Sequence, residues 1–121
     1  MQKQTVLNHA KKNLSSIEYD IFAYLLEHLK VQGLPTTYMP VGLHVGLPWE
    51  HDCLGGYLAN VTVYTHERYG FMLSSMVHVA GTKEPGKGFP LFAWHRGVRI
   101  NSPLWYEQEL TKMIDWARNL V

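Results

Sequence analysis

The chain has a single cysteine, Cys53, in 121 residues. One thiol cannot close an internal disulfide, and such scarcity suits a reducing compartment. Long hydrophobic runs are also missing: no apolar stretch approaches the ~20 residues that span a bilayer. The opening Met-Gln-Lys-Gln-Thr lacks the apolar centre of a signal peptide. A cytoplasmic protein with no membrane contact is therefore expected. Charge of one sign is lacking too. Eleven Lys and Arg face ten Asp and Glu, a formal net charge of +1. No global field then draws the chain to nucleic acid or anionic lipid, so any basic surface has to be local. There is no repeat and no low-complexity tract. The one linker-like stretch, Gly81 to Gly88, is too short to divide domains, and the length suits one domain.

What is present is mostly helical periodicity. Val6, Leu7, Ala10 and Leu14 share one side of residues 3–14. Ser15 and Glu18 fit a capping box. Behind them Ile17, Ile21, Phe22, Leu25, Leu26 and Leu29 form one broad apolar face, which Gly33 and Pro35 end. Thr36-Thr37-Tyr38 favours a short strand. Pro40 suits the first turn of a short helix that stops near Gly46. Residues 52–69 place Leu54, Leu58, Val61 and Thr65 on one side. A strand at Val61-Thr62-Val63-Tyr64 is the alternative, and the i, i+4 pattern with the Gly70 stop favours the helix.

Phe71 to Ala80 alternates as a strand. Gly81-Thr-Lys-Glu-Pro-Gly-Lys-Gly88 is turn chemistry, and Phe89 to His95 reads as the returning strand, with Pro90 at an edge. Ser102 and Pro103 are placed to open a last helix, whose apolar face includes Leu110, Met113, Ile114 and Ala117. The expected fold is α+β and winged-helix-like. It has N-terminal helices in residues 1–35, a helix–turn–helix with an antiparallel β-hairpin wing in residues 36–95, and a C-terminal helix in residues 102–120 that packs on the long one.

Within residues 36–92 the chain resembles the DNA-binding half of alkylguanine-DNA alkyltransferases and of the non-enzymatic alkyltransferase-like proteins. Tyr38-Met-Pro-Val-Gly42 and Val45-Gly46 stand where that family has Tyr-Gly-x-Leu-Ala ahead of a Leu-Gly turn. Asp52-Cys53-Leu54-Gly55-Gly56-Tyr57-Leu58 stands at its Arg-Ala-Val-Gly-x-Ala-Leu helix start. The chain also resembles small uncharacterised bacterial and phage proteins with a Tyr-x-x-Val/Leu-Gly/Ala signature and a Pro-Gly-x-Gly-Phe wing, here Pro85-Gly86-Lys87-Gly88-Phe89. The departures bear on activity. Ser74-Ser75-Met76-Val77 occupies the place of the family's Pro-Cys-His-Arg and holds no thiol. Asp52 replaces the arginine that fills the gap left by a flipped base, and an acid there opposes the phosphates. The resemblance thus implies a scaffold without alkyl transfer.

Three chemistries compete. The basic residues Lys83, Lys87, Arg96 and Arg99 lie in or just after the wing, opposed only by Glu84. With Tyr38 and Tyr57 beside them and Trp94 able to stack on a base or sugar, they point to a non-enzymatic module that binds nucleic acid, most simply DNA. The fold resemblance added to this local charge puts DNA binding first; the alternative is a protein partner or a homodimer, to which the large aromatics Trp49, Tyr57, Trp94, Trp105, Tyr106 and Trp116 point. An enzyme built on Cys53, with His51 or His78 as base, ranks below both, since no third group orients the base. His44, His51, Asp52 and Cys53 cluster in sequence but match no standard zinc spacing. No catalytic residue, metal or cofactor is expected.

Overall fold

Ser15 begins the helix on which the others pack. Its hydroxyl accepts from the Glu18 N–H at 3.3 Å, and the Glu18 carboxylate accepts from the Ser15 N–H at 3.0 Å. This reciprocal pair satisfies two of the donors that a helix start leaves free. The computed structural model describes residues 1–47 and 52–121, without the side chains of Asp52 and Cys53. Helix α1 spans Lys3–Asn13 and α2 spans Ser16–Val31. Strand β1 is Thr36–Thr37 and α3 is Tyr38–Val45. Helix α4 is Asp52–Tyr69, and a 3-10 turn occupies Leu73–Met76. Strand β2 is Val77–His78, α5 is Phe89–His95 and α6 is Leu104–Arg118.

The buried face of α2 is Ile21, Phe22, Leu25, Leu26 and Leu29. It meets α1, α3, α4 and α6. The long helix is therefore the centre of the main core, as its apolar stripe requires. Gly33 ends it: its N–H bonds the His28 carbonyl at 3.2 Å, with φ at 64°. A side chain at Gly33 would be strained at that φ and would meet the Arg118 guanidinium at 2.5 Å. The chain ends are tied together here. Lys30 Nζ donates to the Ala117 and Leu120 carbonyls, and the Lys3 N–H bonds the Val121 carbonyl at 2.8 Å.

The winged-helix expectation is overturned. Helix makes up 67% of the structure and strand 3%, so no α+β wing is built. The described residues hold six α-helices and one two-stranded sheet, in which β1 runs parallel to β2 with Thr36 opposite Val77. Phe89–His95 is helix rather than a returning strand. Phe89, Phe92 and Ala93 follow i, i+3, i+4 spacing, and Pro90 sits in the first turn, where a missing N–H costs nothing. Without that partner, Phe71 to Ala80 cannot form a hairpin. Residues 71–77 are buried without a break rather than on alternate sides. Their backbone donors go elsewhere: Ser74 N–H to Thr62 Oγ1 at 3.0 Å and Leu73 N–H to Thr65 Oγ1 at 3.4 Å. Both threonines lie in α4, which carries the β-branched run Val61-Thr62-Val63 as helix. Thr62 Oγ1 also donates to the Leu58 carbonyl one turn back, and both side chains are buried. At α6, Ser102 makes no side-chain cap; its carbonyl accepts from the Trp105 N–H at 3.1 Å.

Beside the main core lies a second, smaller one. Met72, Phe89, Ala93 and Tyr106 are its buried members, with Phe92, Val98, Ile100 and Trp105 packed against them. No described helix is long and apolar enough to cross a membrane.

Candidate interaction surface

Helix α5 is held from below by the second core. Phe89 and Ala93 point inward, and Phe89 packs on Trp105 and Tyr106, each with ring centroids 6.1 Å away. The loop that leads into α5 is fastened at Gly86, whose N–H donates to Tyr38 Oη at 3.1 Å. A Cβ at Gly86 would stand 3.1 Å from the same oxygen, so the close approach favours glycine. Thr82 Oγ1 donates to the Val79 carbonyl at 2.8 Å, and the Val79 N–H reaches the Glu84 carbonyl at 3.0 Å. Pro85 is buried in the same loop.

With its inner face so committed, α5 turns Leu91 and Trp94 outward, 61% and 56% exposed. They line an open groove of about 620 Å³, whose remaining walls include Pro90, Val98, Arg99 and Ile100. Val98 and Ile100 touch the second core as well, so the groove floor is the back of a packed layer. Residues 79–101 carry four of the eleven Lys and Arg but one of the ten Asp and Glu. The segment that builds the groove is thus basic in a chain that is nearly neutral.

The sequence-predicted binding residues separate into three groups. Trp94 and Arg99 come together in the groove. Lys83 and Lys87 are exposed on the loop before α5, which is no wing. Tyr38, Tyr57 and Arg96 serve the fold. Tyr38 fastens Gly86, Tyr57 packs half-buried on the main core, and Arg96 pairs with Glu67 at 2.9 Å. The Arg96 Nε is buried with no hydrogen-bond partner among the described residues. Leu91, Val98 and Ile100 were not singled out from sequence. The signal for Leu91 is the Phe89, Phe92, Ala93 spacing, which puts Leu91 and Trp94 on the opposite side of a helix; Val98 and Ile100 follow α5 and carry no such signal.

The metal and thiol readings fall largely outside the described residues: His51 lies there, as do the side chains of Asp52 and Cys53, and so does Trp49 of the aromatic set. The His44 ring stacks on Tyr24 with centroids 4.5 Å apart. Among the described residues no group of three His, Cys, Asp or Glu is placed to hold a metal. His78 Nε2 donates to the Ser75 carbonyl at 3.1 Å. Burial lowers its pKa below 6.5, against smaller upward pulls from that hydrogen bond and from Glu84. The folded state therefore binds its proton later than the unfolded chain does. Stability from this group is full above pH 6.5 and is lost as pH falls through the lowered value. His9 acts in the same direction, also through desolvation. Urea melts between pH 7.5 and 5 are expected to show falling stability, and His78→Asn should flatten part of that slope. An unchanged slope would assign it to other groups.

Comparison with protein-family models, curated proteins and solved structures finds no match to this chain.

Proposed function

We propose that the chain is a non-enzymatic protein-interaction module that uses the α5 groove. One observation carries this reading: Leu91 and Trp94 are large, apolar and more than half exposed, and they border the same groove. An exposed tryptophan over an apolar floor is a costly arrangement for a surface with no partner, and tryptophan is enriched among the residues that dominate interfaces. The groove is built on a packed layer, so its shape is present before a partner arrives, which lowers the ordering cost of binding.

A second reading, nucleic-acid binding, is favoured by Trp94 and Arg99 sharing the groove, with Lys83 and Lys87 nearby in sequence. A base could stack on the indole while the cations meet phosphates. It ranks second because Arg96 is engaged by Glu67 and four of the other five walls, Pro90, Leu91, Val98 and Ile100, are aliphatic, Asn101 being the polar one.

Site-specific photo-crosslinking separates the two. A photoreactive residue replacing Leu91 is expected to give discrete adducts in an extract of the native host, lost on Trp94→Ala. The same residue replacing Asn8 on α1 should give none. Protease-sensitive adducts support a protein partner, and an adduct of twice the chain mass identifies self-association. Nuclease-sensitive adducts support nucleic acid. Equal, diffuse labelling at both positions would sink both readings.

A further inference from the structure

We infer that the α5 groove takes a short acidic–apolar segment of another protein, with a large apolar side chain seated against Trp94 and flanking carboxylates facing Arg99 and Lys87. This rests on the reading of the groove as a protein-binding surface. Its apolar part follows from the walls: Leu91, Val98 and Ile100 offer aliphatic contact and Trp94 offers a flat face with a hydrogen-bond donor. Its acidic part follows from charge. Arg99 stands in the groove wall, and Lys87 is exposed two residues ahead of α5. His95, next to Trp94, is exposed as well. The acids nearest Lys83, Lys87 and Arg99 in the chain are Glu84, Glu107 and Glu109; Glu109 pairs with Lys112 at 3.0 Å, which leaves Glu84 and Glu107 against those three cations, while Arg96 is held by Glu67 at 2.9 Å. The segment that builds the groove therefore carries a net positive charge, with Arg99 in the groove wall itself, and complementary potential selects partners and speeds their encounter. A nucleic acid fits less well. A strand wants successive stacking platforms along a basic track, whereas Trp94 is the one aromatic ring among the groove walls.

The test is selection from a randomised 12-residue peptide library displayed on phage. The full-length chain is the bait, and Trp94→Ala is the counter-selection. Enriched peptides are expected to hold Leu, Phe or Trp flanked by Asp and Glu. By fluorescence anisotropy their affinity should fall roughly 30-fold on Trp94→Ala, the scale of an interface anchor. It should fall about tenfold on combined Lys87→Glu and Arg99→Glu, and the same peptides with Lys for their acids should bind that variant better than wild type. All three altered residues are exposed, and far-UV circular dichroism with thermal melts checks that the fold is kept. Enrichment that depends on Trp94 without an acidic bias would overturn the partner class and leave the surface reading standing. No enrichment that depends on Trp94 would overturn both. Displacement of the selected peptides by a 12-nucleotide oligothymidylate, in a salt-sensitive manner, would replace the peptide by a nucleic acid.

Discussion

Phe71→Ala is expected to lower the free energy of unfolding by about 3–5 kcal/mol, the range for removing a buried aromatic ring. Phe71 is 1% exposed. It stacks on Tyr69 with centroids 5.9 Å apart and meets Trp116 edge-on at 5.0 Å. One ring thus joins the end of α4 to α6. Its backbone carbonyl accepts from Thr65 Oγ1 at 3.0 Å, which holds the residue in place and limits how far neighbours can collapse into the void. Little relaxation means a large cavity cost. A domain of this kind has ~5–15 kcal/mol in total, so the variant stands near the unfolding threshold. Urea melts at fixed pH give the number, and a loss below about 1 kcal/mol would show that the ring is not a structural joint. Trp94→Ala is the contrast. Its side chain is over half exposed, and the expected change stays within about 0.5 kcal/mol. That difference also certifies that a binding defect in Trp94→Ala comes from the surface and not from unfolding.

The helices that organise the core were legible because each carries its own signal. Ser15 and Glu18 mark a start, the α2 stripe marks a face, and Gly33 marks a stop. The helix at Asp52–Tyr69 also followed from spacing, although β-branched residues at Val61 to Val63 pulled the other way. The error lay in residues 71–95. There the pattern was read as alternation, and alternation needs a partner strand to have meaning. Phe71 to Val77 is buried on every side, so polar and apolar positions carry no facing information. Three of its backbone donors, at Met72, Leu73 and Ser74, are taken by Glu109, Thr65 and Thr62 from α6 and α4, a long-range fact that no local window contains. Phe89–His95 is only seven residues, too short for periodicity to separate helix from strand except through Pro90, whose tolerance at an edge strand and at a helix start is similar. The groove inherited that error. As a strand, Leu91 and Trp94 would alternate away from each other, Leu91 with Ala93 and Trp94 with Phe92; only the helical turn puts both over one groove. The basic residues were found, but the wing that would have presented them to a backbone of phosphates does not exist. Electrostatics survived the change of fold, and geometry did not.

Glu109→Ala is expected to cost about 2–3 kcal/mol and to loosen the layer beneath α5. Glu109 is a carboxylate on α6 at 6% exposure. One oxygen accepts from the Met72 N–H at 2.8 Å, and the other pairs with Lys112 at 3.0 Å. Removing it leaves a buried donor unsatisfied, which costs ~1–3 kcal/mol by itself, and bonds to charged groups lie at the upper end. Lys112→Ala should cost less, about 1 kcal/mol: the half-exposed ammonium gives up both the screened ion pair and its donation to the Gly70 carbonyl at 3.0 Å. Glu109→Gln separates the two roles. It keeps a carbonyl acceptor for Met72 and gives up the ion pair, so a loss no larger than that of Lys112→Ala, which also gives up the Gly70 bond, identifies the Met72 bond as the dominant contact. The site makes the effect local as well as global. Met72 belongs to the small core with Phe89, Ala93 and Tyr106, and those residues set the inner face of α5. Hydrogen exchange of Glu109→Ala should show lost protection at Met72 and along Phe89–His95 before α2 is affected, since opening proceeds through the less deeply packed unit first. Peptide affinity should then fall together with α5 protection although Glu109 is not among the groove walls. Equal protection loss in α2 and α5 would mean that the two cores unfold as one, and that the groove has no stability of its own to lose.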